Sequence, residues 1–187
     1  MNIQTNVEKP ALRHLATEGE RPITLVSTGQ RPRSCHLIDI ENQVGGPAAS
    51  VEDIQRWWQI YRDEAVGIRP GDQVIVGASH FAAKNVWFAL PMVGIQRRVK
   101  SGPDGAETAI LDALDLDHLS RSFYRLVIAS SDHFFAAIAY KARALGMEVH
   151  MVIGRGVPSR ALLAACPTHT FIRTSPRVVR AYHVLAA

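Results

Sequence analysis

From Ser34 onward the chain alternates between short, nearly continuous apolar runs and stretches whose apolar residues recur at helical spacing. The first run, Cys35 to Ile40, reads as a strand. Val51 to Ala65 reads as a helix: Ser50 is placed to cap it and Glu52 and Asp53 fall in its first turn. Its Ile54, Trp57, Trp58 and Tyr61 fall at helical spacing, as core residues do. Asp72 to Gly77 is the second strand, after the turn Arg69-Pro-Gly71, and Phe81 to Leu90 the next helix, capped by Ser79. Met92 to Val99 is the third strand. Asp104 to Leu116 is a helix introduced by Gly102-Pro103. Arg125 to Ala129 holds four apolar residues in a row, the mark of a central strand buried on both faces. A helix over Asp132 to Leu145, stopped by Gly146, leads to a fifth strand, Met147 to Ile153. A short helix, Ser159 to Ala165, precedes a sixth strand at the sheet edge, Thr168 to Ile172, and Val178 to Leu185 closes the chain as a helix.

Strands that alternate with helices predict an α/β fold, a three-layer α/β/α sandwich around a parallel sheet of five to six strands. Residues 1–33 differ: they carry Gly19, Pro22, Gly29 and Pro32, many charges and little periodicity. They read as a partly flexible N-terminal extension with one short apolar run, Ile23 to Val26, fit for an edge strand. Residues 34–187 form the folded domain.

Composition narrows the class. A chain of 187 residues with 47% apolar and 20% charged content is an ordinary globular domain that needs no staple. Cys35 and Cys166 lie far apart with no nearby partner, so both are expected as buried thiols. Residues 1 to 22 are charged throughout and resemble no signal peptide, and no run is long enough to span a membrane, so a cytoplasmic protein is expected. The net charge of +4 leans toward a polyanionic partner.

Against that basic balance, three acidic motifs stand where predicted strands end or helices begin. Asp39-Ile-Glu-Asn42 closes the first strand, Gly102-Pro-Asp104-Gly-Ala-Glu107 opens a helix, and Ser130-Ser131-Asp132 closes the fourth strand. Each has a plain structural explanation: an Asx turn, acids that complement a helix dipole, and a helix cap. Together they suggest more, because the carboxyl ends of parallel strands line one edge of the sheet, where ligands bind. Carboxylates gathered there repel one another unless protons or a cation neutralise them. Mg²⁺ or Mn²⁺ would do so and could bridge to a substrate phosphate. Asn42, Ser130 and Ser131 are candidate substrate contacts. Arg97, Arg98, Lys100 and Arg155, with Arg160 and Arg173, are candidates to hold a nucleic-acid backbone. No P-loop, nucleophile elbow, dinucleotide fingerprint or helical zinc-hydrolase spacing is present.

These residues resemble the NYN branch of the PIN-like nuclease superfamily, from His36 to about Ile172. Leu37-Ile-Asp39-Ile-Glu-Asn42 is similar to the family's opening strand with its D-x-x-N. Gly102-Pro-Asp-Gly-Ala-Glu107-Thr-Ala-Ile is similar to its middle motif. Ile128-Ala-Ser-Ser-Asp132-His-Phe-Phe135, followed by Ala144-Leu-Gly-Met-Glu-Val-His-Met-Val-Ile153, is similar to the S-G-D-x-D-F motif and the next strand. The chain departs from the family in two places: Phe134 stands where a second acid is frequent, and Glu107 where Asp is more usual.

The resemblance implies a PIN-like, Rossmannoid domain with the first and fourth strands adjacent. It implies a Mg²⁺- or Mn²⁺-dependent ribonuclease acting on single-stranded or structured RNA. Asp39, Glu107 and Asp132 would be its catalytic, metal-holding acids, Asp104 a fourth metal ligand, and Asn42 a phosphate or loop contact. A homodimer is compatible with it. Two alternatives stay open: a catalytically weakened nucleic-acid-binding or adaptor protein on the same fold, and a small phosphatase-like enzyme in which Asp39 and Glu41 form the acidic pair.

Overall fold

The computed structural model describes residues 32–102, 104–174 and 179–185. In chain order the elements are β1 (Ser34–Asp39), α1 (Ile40–Val44), α2 (Val51–Ile60), β2 (Gln73–Ser79), α3 (His80–Ala89), β3 (Ile95–Lys100), α4 (Gly105–Leu111) and α5 (Leu116–Ser122). Then come β4 (Arg125–Ala129), α6 (Phe135–Ala144), β5 (Glu148–Ile153), α7 (Arg160–Ala165), β6 (Thr168–Thr174) and β7 (Val179–Leu185). The strands form one sheet in the order β3-β2-β1-β4-β5-β6-β7. The first six strands are parallel, and β7 pairs antiparallel to β6. Strand order grows outward from β1 in one direction and from β4 in the other, so the switch point lies between these two adjacent strands.

Alternating side chains divide the core into two layers. Leu37, Leu126, Ile128 and Met151 meet Ile110 of α4, Leu119 of α5, Phe135 of α6 and Leu162 of α7. Ile38, Val74, Val76, Val127 and Val152 meet Ile54, Trp57 and Trp58 of α2, and Val86 of α3. The expected three-layer α/β/α architecture is therefore the one observed. The indoles of Trp57 and Trp58 stack with the ring of buried Tyr61, as core packing predicts.

Ser50 and Ser79 each accept a hydrogen bond from an amide of the following helix, so these caps fall where the sequence puts them, and Ser159, expected as the first residue of its helix, caps it in the same way. Four expectations change. The helix over 51–65 is α-helical only to Ile60 and finishes as a π-helical turn, Tyr61–Ala65. The helix over 104–116 is two helices, because the Asp115 carboxylate accepts the His118 amide and starts α5 afresh. Residues 179–185 are a strand, since pairing with β6 satisfies their backbone. That pairing also removes β6 from the edge. The N-terminal extension and its Ile23–Val26 run lie outside the described residues up to Arg31. Arg33 packs on the domain: its carbonyl accepts the Tyr124 amide and its guanidinium sits 4.9 Å from the Phe123 ring centroid.

At the opposite edge of the sheet from the strand C-termini, Asp72 clips the starts of β1 and β2 together. It accepts the amides of Ser34 (2.7 Å) and Arg69 (2.9 Å), and lies 3.5 Å from Nε2 of buried His36. Burial by itself would raise its carboxyl, but the bonds from His36, Ser34 and Arg69 carry it below the ordinary value. A lowered carboxyl contributes stability above its unfolded value that is lost as pH falls through the folded value. Asp72→Asn is therefore expected to lose about 1–3 kcal/mol of unfolding free energy at pH 7. The loss relative to wild type should shrink toward pH 3, which urea midpoints at the two pH values would measure. Both cysteines are buried and free, and burial pushes each thiol up to about 12, with the Asp72 charge adding to it at Cys35.

Candidate functional site

A cavity of about 430 Å³ opens at the C-terminal edge of the sheet, at the switch point. Asp39 lies at its floor as the last residue of β1 and is 1% exposed. The chain must turn there into α1, and Asp39 caps that helix by accepting the Asn42 amide on Oδ1 (3.2 Å). Its Oδ2 accepts the Ser130 hydroxyl (3.1 Å) from the end of β4. The two strands flanking the switch point are thus joined through this carboxylate.

Glu107 lines the same cavity from the first turn of α4, close enough to Asp39 for the two carboxyls to act on each other. Burial raises the Asp39 carboxyl well above its ordinary value, and the Glu107 charge raises it further. Glu107 is also raised, first by burial and then by the charges of Asp132 and Asp104. Two glycines allow α4 to come this close. A Cβ on Gly77, which pairs with Asp39 across β1 and β2, would lie 2.3 Å from the Ala106 carbonyl oxygen. A Cβ on Gly105 would lie 2.4 Å from that of Lys100. Asp104, on the cavity wall, is the one non-glycine residue among those described with a left-handed backbone, φ 54°. Such conformations cluster at functional sites.

Asn42 and Ser131 form the seam behind the pair. Asn42 Oδ1 accepts the Ser131 amide (2.9 Å), and the Ser131 carbonyl accepts the Ser159 amide (2.9 Å). The Ser131 hydroxyl is buried without a hydrogen-bond partner. A Cβ on Gly156 would lie 2.6 Å from Asn42 Oδ1 and 3.0 Å from Ser131 Oγ, so only glycine keeps that corner open. Arg155 lines the opposite wall; its guanidinium donates to the Val44 carbonyl (3.2 Å) and lies 3.6 Å from Asp53.

Asp132 follows the same seam without lining the cavity. Its amide donates to the Ser130 hydroxyl (3.2 Å), while its carboxylate accepts the Phe134 amide (3.0 Å) and pairs with His133 Nδ1 (2.8 Å). Of the expected site residues, the structure therefore brings together Asp39, Glu107, Asp104, Asn42, Ser130, Ser131 and Arg155, with Asp132 beside them. It does not bring Arg97, Arg98 or Lys100 to the cavity. β3 is an outer strand, and its side chains engage their own surroundings: Arg97 lies 5.2 Å from the Trp87 ring centroid, Arg98 donates to Gln96, and Lys100 pairs with Asp112 (2.7 Å).

Glu41 and Ser79 join the site, Glu41 having been weighed only as the acidic partner of Asp39 in the phosphatase-like reading and Ser79 only as a helix cap. Glu41 lines the cavity and its carboxylate accepts the Ser79 amide. The only sequence signal was the acidic position inside the D-x-x-N motif. Its partner, 38 residues away, is found only through the β1–β2 pairing.

The donor set around Asp39 and Glu107 is all oxygen, and the pair resists double ionisation. Both properties fit a hard divalent cation, whose charge would let both carboxyls ionise. Among the described residues, no three His, Cys, Asp or Glu side chains already stand in ligating positions around one point.

The chain matches no protein-family model and no curated protein sequence. The crystal structure of a protein of unknown function from Vibrio parahaemolyticus superposes with a TM-score of 0.52 at 15% identity. The match covers 83% of this chain and 100% of that one, and it shows a shared fold. No helix among the described residues is long and apolar enough to cross a membrane.

Proposed function

We propose that this chain is a Mg²⁺- or Mn²⁺-dependent ribonuclease of the PIN-like kind, hydrolysing RNA phosphodiester bonds. The observation that carries the reading is the Asp39–Glu107 carboxyl pair, held at the sheet's switch point beneath an open cavity. Asp39 and Glu107 would hold the cation through their oxygens, with Asp104 and Asp132 close enough for their charges to act on Glu107. A bound cation supplies Lewis-acid stabilisation of phosphoryl charge and lowers the pKa of its water. The chain's own residues do the rest. The Ser130 hydroxyl and Asn42 amide fix the orientation of Asp39, and Arg155 presents positive charge on the facing wall for a substrate phosphate.

Cleavage of end-labelled single-stranded RNA in Mn²⁺, Mg²⁺ or EDTA tests this reading. Metal-dependent products, absent in EDTA, are expected. A protein that binds the RNA and leaves it whole in every condition would favour the adaptor reading instead. One observation favours that second reading: the Asp132 carboxylate is engaged by its own turn, which leaves two acids in contact.

The cation can also be detected without activity. Raised carboxyls contribute stability below their unfolded values that is lost as pH rises through the folded values. The metal-free protein should therefore lose stability as pH rises from the ordinary carboxylate range through the raised values of Asp39 and Glu107. A cation at about 100 times its Kd would add about 2.7 kcal/mol. In differential scanning fluorimetry this should appear as a melting shift of about 5 °C or more, larger at pH 8 than at pH 5.

A further inference from the structure

Phe134 occupies the position where the sequence pattern leads one to look for another acid, and its surroundings assign it a different task. It is 45% exposed at the start of α6, while its neighbour Phe135 is fully buried. The core therefore anchors one ring and leaves the other outside. The exposed ring is held in place. Asp132 accepts the Phe134 amide and pairs with the His133 imidazole, and the His133 and Phe134 rings lie with centroids 4.4 Å apart at 30°. One carboxylate thus fixes both residues of a flat, solvent-facing aromatic pair.

The pair stands beside the candidate site. Immediately before it along the chain, Asp132 donates its amide to the Ser130 hydroxyl, which donates to Asp39. Next to that path the Ser131 hydroxyl is buried with no partner, beside the corner that Gly156 keeps open. A pinned, exposed aromatic surface adjoining a site suited to phosphate has the two parts of a single-strand recognition surface: a backbone contact and a face for an unpaired base. A duplex offers no such base, because its faces are already stacked.

We propose that Phe134, braced by His133, is a base-stacking platform for single-stranded RNA whose backbone lies over the Asp39–Glu107 pair; this rests on the ribonuclease reading. The platform selects unpaired RNA and sets which phosphate reaches the acids. Base stacking tolerates any base, so selection is for single-strandedness rather than sequence.

Binding in EDTA isolates this step from hydrolysis. Fluorescence anisotropy of a labelled single-stranded oligoribonucleotide would be measured with wild type, Phe134→Ala, Phe134→Leu and Phe134→Tyr, each checked for folding by its melting curve. The same length of abasic backbone and the matching duplex are the comparison ligands. The Ala and Leu variants should bind the single strand roughly ten-fold more weakly, the size of one lost base stack, and Tyr should restore binding. Wild type should bind the abasic strand and the duplex as weakly as Phe134→Ala binds the intact strand. Equal affinity for intact and abasic strands, or a Phe134→Leu variant that binds like wild type, would overturn the platform. A Phe134-dependent single-strand affinity without cleavage in Mg²⁺ or Mn²⁺ would keep the platform and remove the hydrolytic reading. A wild type that neither binds a strand in EDTA nor cleaves one in Mg²⁺ or Mn²⁺ would remove both.

Discussion

Asp39→Asn is expected to lower RNA cleavage by about 100-fold or more while leaving the protein as stable as wild type, or more stable. The two halves have one cause. Asp39 is buried against a second carboxyl, and its ionised form is disfavoured first by burial and then by the Glu107 charge. An amide of the same shape can still accept the Asn42 amide through its oxygen and can donate its NH2 to the Ser130 hydroxyl oxygen, and it carries no charge to bury. The fold therefore gives up little. Cation binding gives up a principal ligand, and even an outer partner of a metal site typically contributes 10- to 100-fold, about the floor expected here. Paired measurements of cleavage rate and melting temperature would separate this result from simple unfolding. The cation-dependent melting shift should also vanish in this variant. A variant with full activity would remove Asp39 from the chemistry.

Gly77→Ala should damage stability and activity together. The added Cβ would sit 2.3 Å from the Ala106 carbonyl oxygen and 2.7 Å from Ile110 Cγ1. Neither distance is tolerable, and the oxygen belongs to a helix backbone that cannot rotate away. α4 must lift from β2, and Glu107, next in chain to Ala106, must move with it. Overpacking of this kind costs about 1–3 kcal/mol, visible as a lower urea midpoint. A displacement of about 1 Å at a reacting site can cost about 100-fold in rate. Conditions in which the variant is fully folded distinguish the two effects: cleavage should remain depressed there, and the cation should shift the melting temperature less than in wild type. A variant that folds and cleaves normally would mean that α4 has freedom its contacts do not suggest.

The strands were legible because β1, β4 and β5 are buried on both faces and are written as nearly continuous apolar runs. The Ser50 and Ser79 caps were legible because capping is local, requiring one hydroxyl and an amide three residues on. What escaped was decided over long distances. Residues 179–185 carry a pattern compatible with helix, and only the neighbouring β6 makes them a strand. The approach of Asp39 to Glu107 required the sheet register and the bare faces of Gly77 and Gly105, which no spacing reveals. The position of Asp132 in the chain was informative, but the direction of its carboxylate was not, because His133 and the Phe134 amide compete for it locally.

The outer position of β3 gives its basic residues a meaning apart from RNA. Among the described residues the sheet ends at β3, whose outer row of backbone groups has no neighbouring strand there. Just before it in the chain, Met92 and Val93 are exposed. Arg98 and Lys100 project from one side of β3 and Arg97 from the other, so a second strand laid along this edge would meet positive charge on both faces. Basic side chains on an edge strand work against its pairing with a second molecule. Their neutralisation would be felt in the solubility of the protein before it was felt in its chemistry.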